Sequence, residues 1–187
     1  MKLEYIITAL VVVCILVMLF NRKINVAKVL FEQLKVFRNN RTQKTSFWDI
    51  LSFIICPILL SLIMVFWHEF YIDNELAQIL TTSFSLIFTL MLAFETILVS
   101  KKDSKNVVEK EVISQTFISV VSASIFSLTG IILSITIMFA SNCTVIKILT
   151  AIMLVLSFMT VMLLLMIIKR TFKIFMSDNV NNDKTPR

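Results

Sequence analysis

The chain holds one glycine, two prolines and one histidine, and only 16% of its 187 residues are charged. Each shortage excludes something. One glycine cannot supply the turns of an all-β fold, and Gly130 lies inside an apolar run, so no glycine-rich phosphate loop is possible. One histidine, His68, lacks a second histidine or a cysteine cluster and leaves a metal site short of ligands. No serine or cysteine has a histidine placed by sequence motif to activate it. His68 could sense pH in its loop, but reads first as a solvated interfacial residue. The three cysteines, Cys14, Cys56 and Cys143, form no disulfide framework, since two fall within apolar runs, and they read as packing residues. No enzyme activity, cofactor or metal is expected.

What the chain has in abundance is hydrocarbon. Hydrophobic residues make up 58%, against about 45–50% in soluble domains, which also carry about 25% charge. They come in long uninterrupted blocks. A span needs roughly 20 apolar residues, each rising about 1.5 Å, to cross about 30 Å of hydrocarbon. Five blocks qualify, at about 3–20, 47–67, 76–100, 113–140 and 148–168. The fold class is therefore all-α: a polytopic helical membrane protein of four or five transmembrane helices, one membrane domain over 1–187. Trp48 and Trp67 stand 19 positions apart, about 28 Å of helix, which places both at interfaces. The first block follows Lys2 as a secretory signal would. However, no small-x-small cleavage site follows, and "FNRK" at 20–23 is a stop-transfer flank, so a retained anchor is expected.

Basic residues set the orientation. Seven lie in 21–46, four in 101–115 and five after Ile168, leaving only Lys2 and Lys147 elsewhere. Five crossings put sixteen of the eighteen on one side, with the C-terminus cytosolic. The opposite loop, "HEFYIDNE" at 68–75, is acidic. A four-crossing arrangement, with the first block on the surface, is the alternative.

The longest stretch outside these blocks, 21–46, is too short for a core of its own. Ala27, Leu30, Phe31, Leu34 and Phe37 recur at helical spacing, with Lys28, Lys35 and Arg38 on other faces. A basic amphipathic cytosolic helix over about 24–38 is expected, lying at the inner leaflet or docking a cytosolic partner. Arg22, Lys23, Lys28, Lys35, Arg38, Arg41 and Lys44 are the candidate contacts to lipid headgroups or that partner. The 101–115 loop should extend its flanking helices, and the polar tail, about 177–187, is expected to be disordered.

Two spans carry small-residue faces. In the fourth block Thr116, Ser119, Ala123, Ser127, Gly130 and Ser134 recur every three or four residues, within roughly 80° of arc at about 100° per residue. Such a face lets helix backbones approach closely in lipid. Ser119, Ala123, Ser127, Gly130 and Ser134 are therefore candidates for helix packing or an oligomer interface. The third block offers a matching face in Thr82, Ser85, Thr89, Ala93, Thr96 and Ser100. Either the third and fourth segments simply pack on each other within one subunit, or such faces line a subunit interface or a narrow polar pore. Pro57, mid-block in "FIICPILL", removes a backbone hydrogen bond and should kink its helix. Glu95 is the intramembrane polar residue, about 9 Å inside Lys101 by helical rise. A charge there costs less than the roughly 2.5 kcal/mol or more at a span's centre. It pairs with another helix, joins a ring in an oligomer, or is reached by inner-leaflet water.

At "WDILSFIICPILLSLIMVF" (48–66) and "LAQILTTSFSLIFTLMLAFETILVSKKDS" (76–104) the chain resembles the membrane subunit (KwaA-like) of the Kiwa bacterial anti-phage defence system. The resemblance lies in span layout across most of the chain. It implies a homo-oligomer in the bacterial inner membrane that senses infection and holds a cytosolic effector acting on phage DNA. Membrane lipids and that protein would be the partners, and any contact with nucleic acid would run through the effector. The implied function is a non-enzymatic sensor or scaffold. The alternative is a small pore-forming effector that depolarises the membrane.

Overall fold

The computed structural model describes residues 6, 10, 13, 26–36, 51–100 and 107–182. Among them every regular element is helical. Helix α1 covers Val26–Val36 and α2 covers Leu51–Trp67. Three long helices follow: α3 (Asn74–Ser100), α4 (Val107–Phe139) and α5 (Cys143–Asn182). These three are long and apolar enough to cross a membrane. Most of the first block, 3–20, lies outside the described residues. Ile6, Leu10 and Val13 are helical and exposed.

The long helices outrun the apolar blocks that announce them. Block limits stop where charge begins, whereas backbone hydrogen bonding propagates through any residue that tolerates it. The clearest case is the tail. It was expected to be disordered from about 177, yet α5 continues through Asn182. No glycine or proline interrupts it before Pro186, and extending an existing helix avoids the cost of nucleating one.

Helix α2 is built in three pieces, a π-helical turn over Leu51–Ile55, an α-helical stretch over Cys56–Leu62 and a second π turn over Ile63–Trp67. Pro57 sits at the start of the central stretch and is buried. Its missing N–H interrupts the i→i−4 ladder, and the wider π register just before it shifts the pairing past that gap. Trp48 and Asp49 lie outside the described residues. The far end of α2 closes tightly. His68 N donates to Ile63 O at 3.3 Å and Phe70 N to Met64 O at 3.1 Å. The residue between them, Glu69, has φ of 50°, the left-handed conformation that glycine usually supplies at helix ends.

Caps start the next helices. Asp73 Oδ1 accepts from Leu76 N at 2.8 Å at the head of α3. Asn142 Oδ1 accepts from Thr144 N at 3.0 Å at the head of α5. Each satisfies a first-turn N–H that would otherwise lack an intrahelical partner.

The described helices pack as an open row. Among the described elements α3 packs on α4, α4 on α5, and α5 on α2, while α1 lies against α4. Among these elements helix α4 is thus central, which suits its small residues, and α3 is peripheral with one neighbour. The core has two parts. One, around Ile72, Phe84, Leu133, Ile137 and Met153, fills the end with the short connections. The other, around Met91, Leu98, Ile113, Val120 and Leu163, fills the opposite end, where α3 finishes and α4 begins. Buried polar contacts fix the row. Ser61 Oγ donates to Ala151 O at 2.7 Å, joining α2 to α5, and Ile72 N donates to Thr150 Oγ1 at 3.2 Å, pinning the 68–73 connection.

Candidate functional site

The candidate face of α4 is buried throughout: Ser119, Ala123, Ser127, Gly130 and Ser134 all lie inside the row. It serves two neighbours. A Cβ on Gly130 would stand 3.1 Å from ring carbons of Phe84 on α3, so the glycine leaves room for that ring. Ser134 Oγ reaches Met153 Sδ on α5 at 3.9 Å, and Ser119 Oγ accepts from Arg170 Nη1 on α5 at 3.2 Å.

The matching face on α3 behaves otherwise. Thr82, Ser85, Thr89, Ala93, Thr96 and Ser100 are all exposed, so α3 and α4 pack on each other within one subunit as expected, but not through two small faces. What α3 buries is Ala77, Phe84, Met91 and Leu98, seven residues apart, with Leu80, Ile87 and Phe94 partly buried between them. That is the heptad spacing of a left-handed helix pair. Bulky side chains pack into the narrow face of α4, because a ring against a glycine makes more contact than two small residues can. The outward hydroxyls need no neighbour. Thr82, Ser85 and Thr89 donate to the carbonyls of Gln78, Thr81 and Ser85 at 2.8–3.0 Å, and Thr96 and Ser100 to those of Ala93 and Ile97. Each donor is satisfied within its own helix, as hydrocarbon surroundings require.

Glu95 lies beside this face and turns partly inward. Ser124 Oγ of α4 lies 3.0 Å from Glu95 Oε1 and 3.1 Å from Val120 O, so one hydroxyl proton serves two acceptors. From the other flank Arg170 Nη1 of α5 donates to Gln115 O at 3.1 Å and to Ser119 Oγ. Positions 119 and 124 differ by about 7.5 Å of rise and roughly 140° around α4. The acid and the guanidinium therefore grip opposite sides of the central helix at different levels, and no ion pair joins them. Together they tie α3 and α5 to α4. Sequence reasoning counted Arg170 only as part of the basic tail. Position 170 sits two residues after Ile168, where the apolar run ends, a hint that its stem lies against the bundle.

The basic candidates are spread more widely. Lys28 and, on the long helices, Lys110 and Lys169 are exposed. Lys35 lies on α1, while Arg22, Lys23, Arg38, Arg41 and Lys44 lie outside the described residues. Helix α1 itself departs from its expected pose. Its inward line is Val26, Leu30 and Gln33, and Phe31 of the expected apolar stripe is 65% exposed. Leu30 and Gln33 share a cavity with Phe126, near the middle of the α4 apolar run, rather than lying level with its end. In a bilayer an outward phenylalanine costs nothing, since lipid is as apolar as the core, so apolar periodicity does not name the packed side. Gln33 is buried, with neither amide atom paired among the described residues. Unmade hydrogen bonds of that kind cost about 1–3 kcal/mol each.

No family model matches this chain, and no match is found among curated proteins or solved structures.

Proposed function

We propose that the chain is a non-enzymatic membrane scaffold or sensor that assembles through α3 and recruits a cytosolic effector at its basic end, in anti-phage defence. The observation that carries this reading is the segregation of charge, with sixteen of eighteen basic residues on one side of the expected crossings. The antiparallel row supports it, since exposed Lys110 at the start of α4 and exposed Lys169 on α5 fall at the same end. Among the described elements helix α3 has a single neighbour, and it carries a narrow outward face along which copies can approach closely. The bacterial inner membrane is the proposed location.

The test is purification of the full chain from its native membrane. A soluble partner encoded beside it should co-purify, and reversing charge at Lys35, Arg38 and Arg41 to glutamate should release that partner. Failure to recover a partner, or retention by the triple variant, would refute the reading. The pore alternative draws on one observation, the outward hydroxyl row with Glu95 beside it. It predicts current from the purified oligomer in planar bilayers and a changed conductance in Glu95→Gln. The scaffold predicts neither.

A further inference from the structure

Where α3 finishes and α4 begins, a cleft of about 230 Å³ opens between them. Leu98 and Val99 of α3 and Ile113 and Phe117 of α4 are its apolar walls, and Lys110 and Ser114 of α4 are its polar members. These residues straddle a boundary. The apolar run of α3 extends to Ser100 and that of α4 begins at Val112. The four apolar walls therefore lie within the runs, while Lys110 stands two residues beyond them, about 3 Å by helical rise. Lys110 and Ser114 are both exposed, as is Val99, so the cleft presents its polar groups outward. Neither group is used elsewhere. Every other serine and threonine hydroxyl of α4, from Thr116 to Thr136, donates a hydrogen bond. Ser114 Oγ makes none, and Lys110 Nζ makes no ion pair, among the described residues.

We propose that this cleft binds an anionic phospholipid of the surrounding bilayer, its phosphate held by Lys110 and Ser114 and an acyl chain laid against Val99 and Phe117. A phospholipid carries the same order of chemistry as the cleft, an ionised phosphate outside and hydrocarbon inside. Positions 110 and 114 are neighbours on one helix face, about 5–6 Å apart at Cβ. The ammonium on its flexible stem pairs with one phosphate oxygen, and the serine hydroxyl donates to another. No carboxylate lines the cleft among the described residues. The cationic end of a choline head therefore meets only the like charge of Lys110, which a glycerol head avoids. A soluble phosphate ester also pairs with Lys110 but leaves the apolar walls uncovered, so the bilayer is the source. The site rests on the membrane placement of α3 and α4 and not on the scaffold reading.

The experiment uses the full chain purified in a neutral detergent and titrated with dioleoyl phosphatidylglycerol or dioleoyl phosphatidylcholine, with bound lipid counted by native mass spectrometry. The wild type should hold phosphatidylglycerol about fivefold more tightly than phosphatidylcholine, the worth of one lysine beside an anionic lipid. Lys110→Gln should bring the two within twofold, and Ser114→Ala should weaken phosphatidylglycerol with Lys110 retained. Lys169→Gln removes an exposed lysine at the same end but outside the cleft and should leave both affinities within twofold of wild type. Val99→Trp fills the cleft from an exposed position, so the fold is kept, and should cut phosphatidylglycerol binding at least fivefold. Excess glycerol 3-phosphate should displace no lipid. Equal affinity for the two lipids in the wild type would overturn the proposal. So would an unchanged preference in Lys110→Gln, undiminished binding by Val99→Trp, or a loss in Lys169→Gln equal to that in Lys110→Gln, which marks diffuse surface charge. Displacement by glycerol 3-phosphate would assign the site to a soluble phosphate instead of a lipid.

Discussion

Replacing Gly130 by leucine should destabilise the protein, and removing the Phe84 ring in the same molecule should recover much of the loss. The geometry sets the size. A Cβ at 130 would lie 3.1 Å from three Phe84 ring carbons, inside the optimum carbon–carbon separation of about 3.5–4.0 Å. Alanine needs the ring to yield a few tenths of an ångström, offset by a helix-propensity gain of up to about 1 kcal/mol. Gly130→Ala should therefore change stability by less than about 1 kcal/mol. Leucine adds three more carbons where the ring already sits, and overpacking of that kind costs about 1–3 kcal/mol. Phe84→Ala costs about 3–5 kcal/mol in a soluble core, but lipid removes the transfer part, leaving roughly 1–3 kcal/mol here. In the double variant the leucine occupies the space vacated by the ring, with a favourable coupling of about 1–3 kcal/mol. Reversible unfolding in mixed micelles measures all four proteins. Losses that add to within about 0.5 kcal/mol would refute direct packing of Phe84 on Gly130.

Two further predictions concern the short-connection end. Glu69→Gly should stabilise by about 0.5–1 kcal/mol and raise the melting temperature, because a glycine adopts φ near +50° without the Cβ penalty that glutamate bears. An unchanged or lower melting temperature would contradict that backbone. Asp73→Ala should cost about 1 kcal/mol and speed amide exchange over residues 74–77, whereas Asp73→Asn keeps most of the cap. Wild-type exchange in Asp73→Ala would show that the cap is not made.

The long helices were legible because apolar runs of that length have few other uses: the 76–100 and 148–168 blocks lie within single helices, and 113–140 overruns α4 by one residue. The narrow face of α4 could also be read, since it lies on one side of a helix. Which side of α3 turns inward could not. In a soluble protein polarity marks the outside, but threonine and serine that bond their own carbonyls sit in lipid as comfortably as leucine. The same ambiguity reversed Phe31 and Gln33 on α1. Glu95 was recognisable as an intramembrane acid, yet its partner Ser124 was not. Sequence fixes the spacing within a helix and leaves open the register between helices. Arg170 was hidden for a related reason, since a basic residue at a span's end reads as a flank until its guanidinium is seen on α4.

Cysteine cross-linking in native membranes tests most directly the account of α3 as a helix with one packed side and one side open to a second copy. With the native cysteines replaced, Thr89→Cys should give a disulfide-linked dimer on mild oxidation, and Met91→Cys, buried against α4, should give none. Dimers from Met91→Cys, or none from Thr89→Cys and Thr82→Cys alike, would contradict the account.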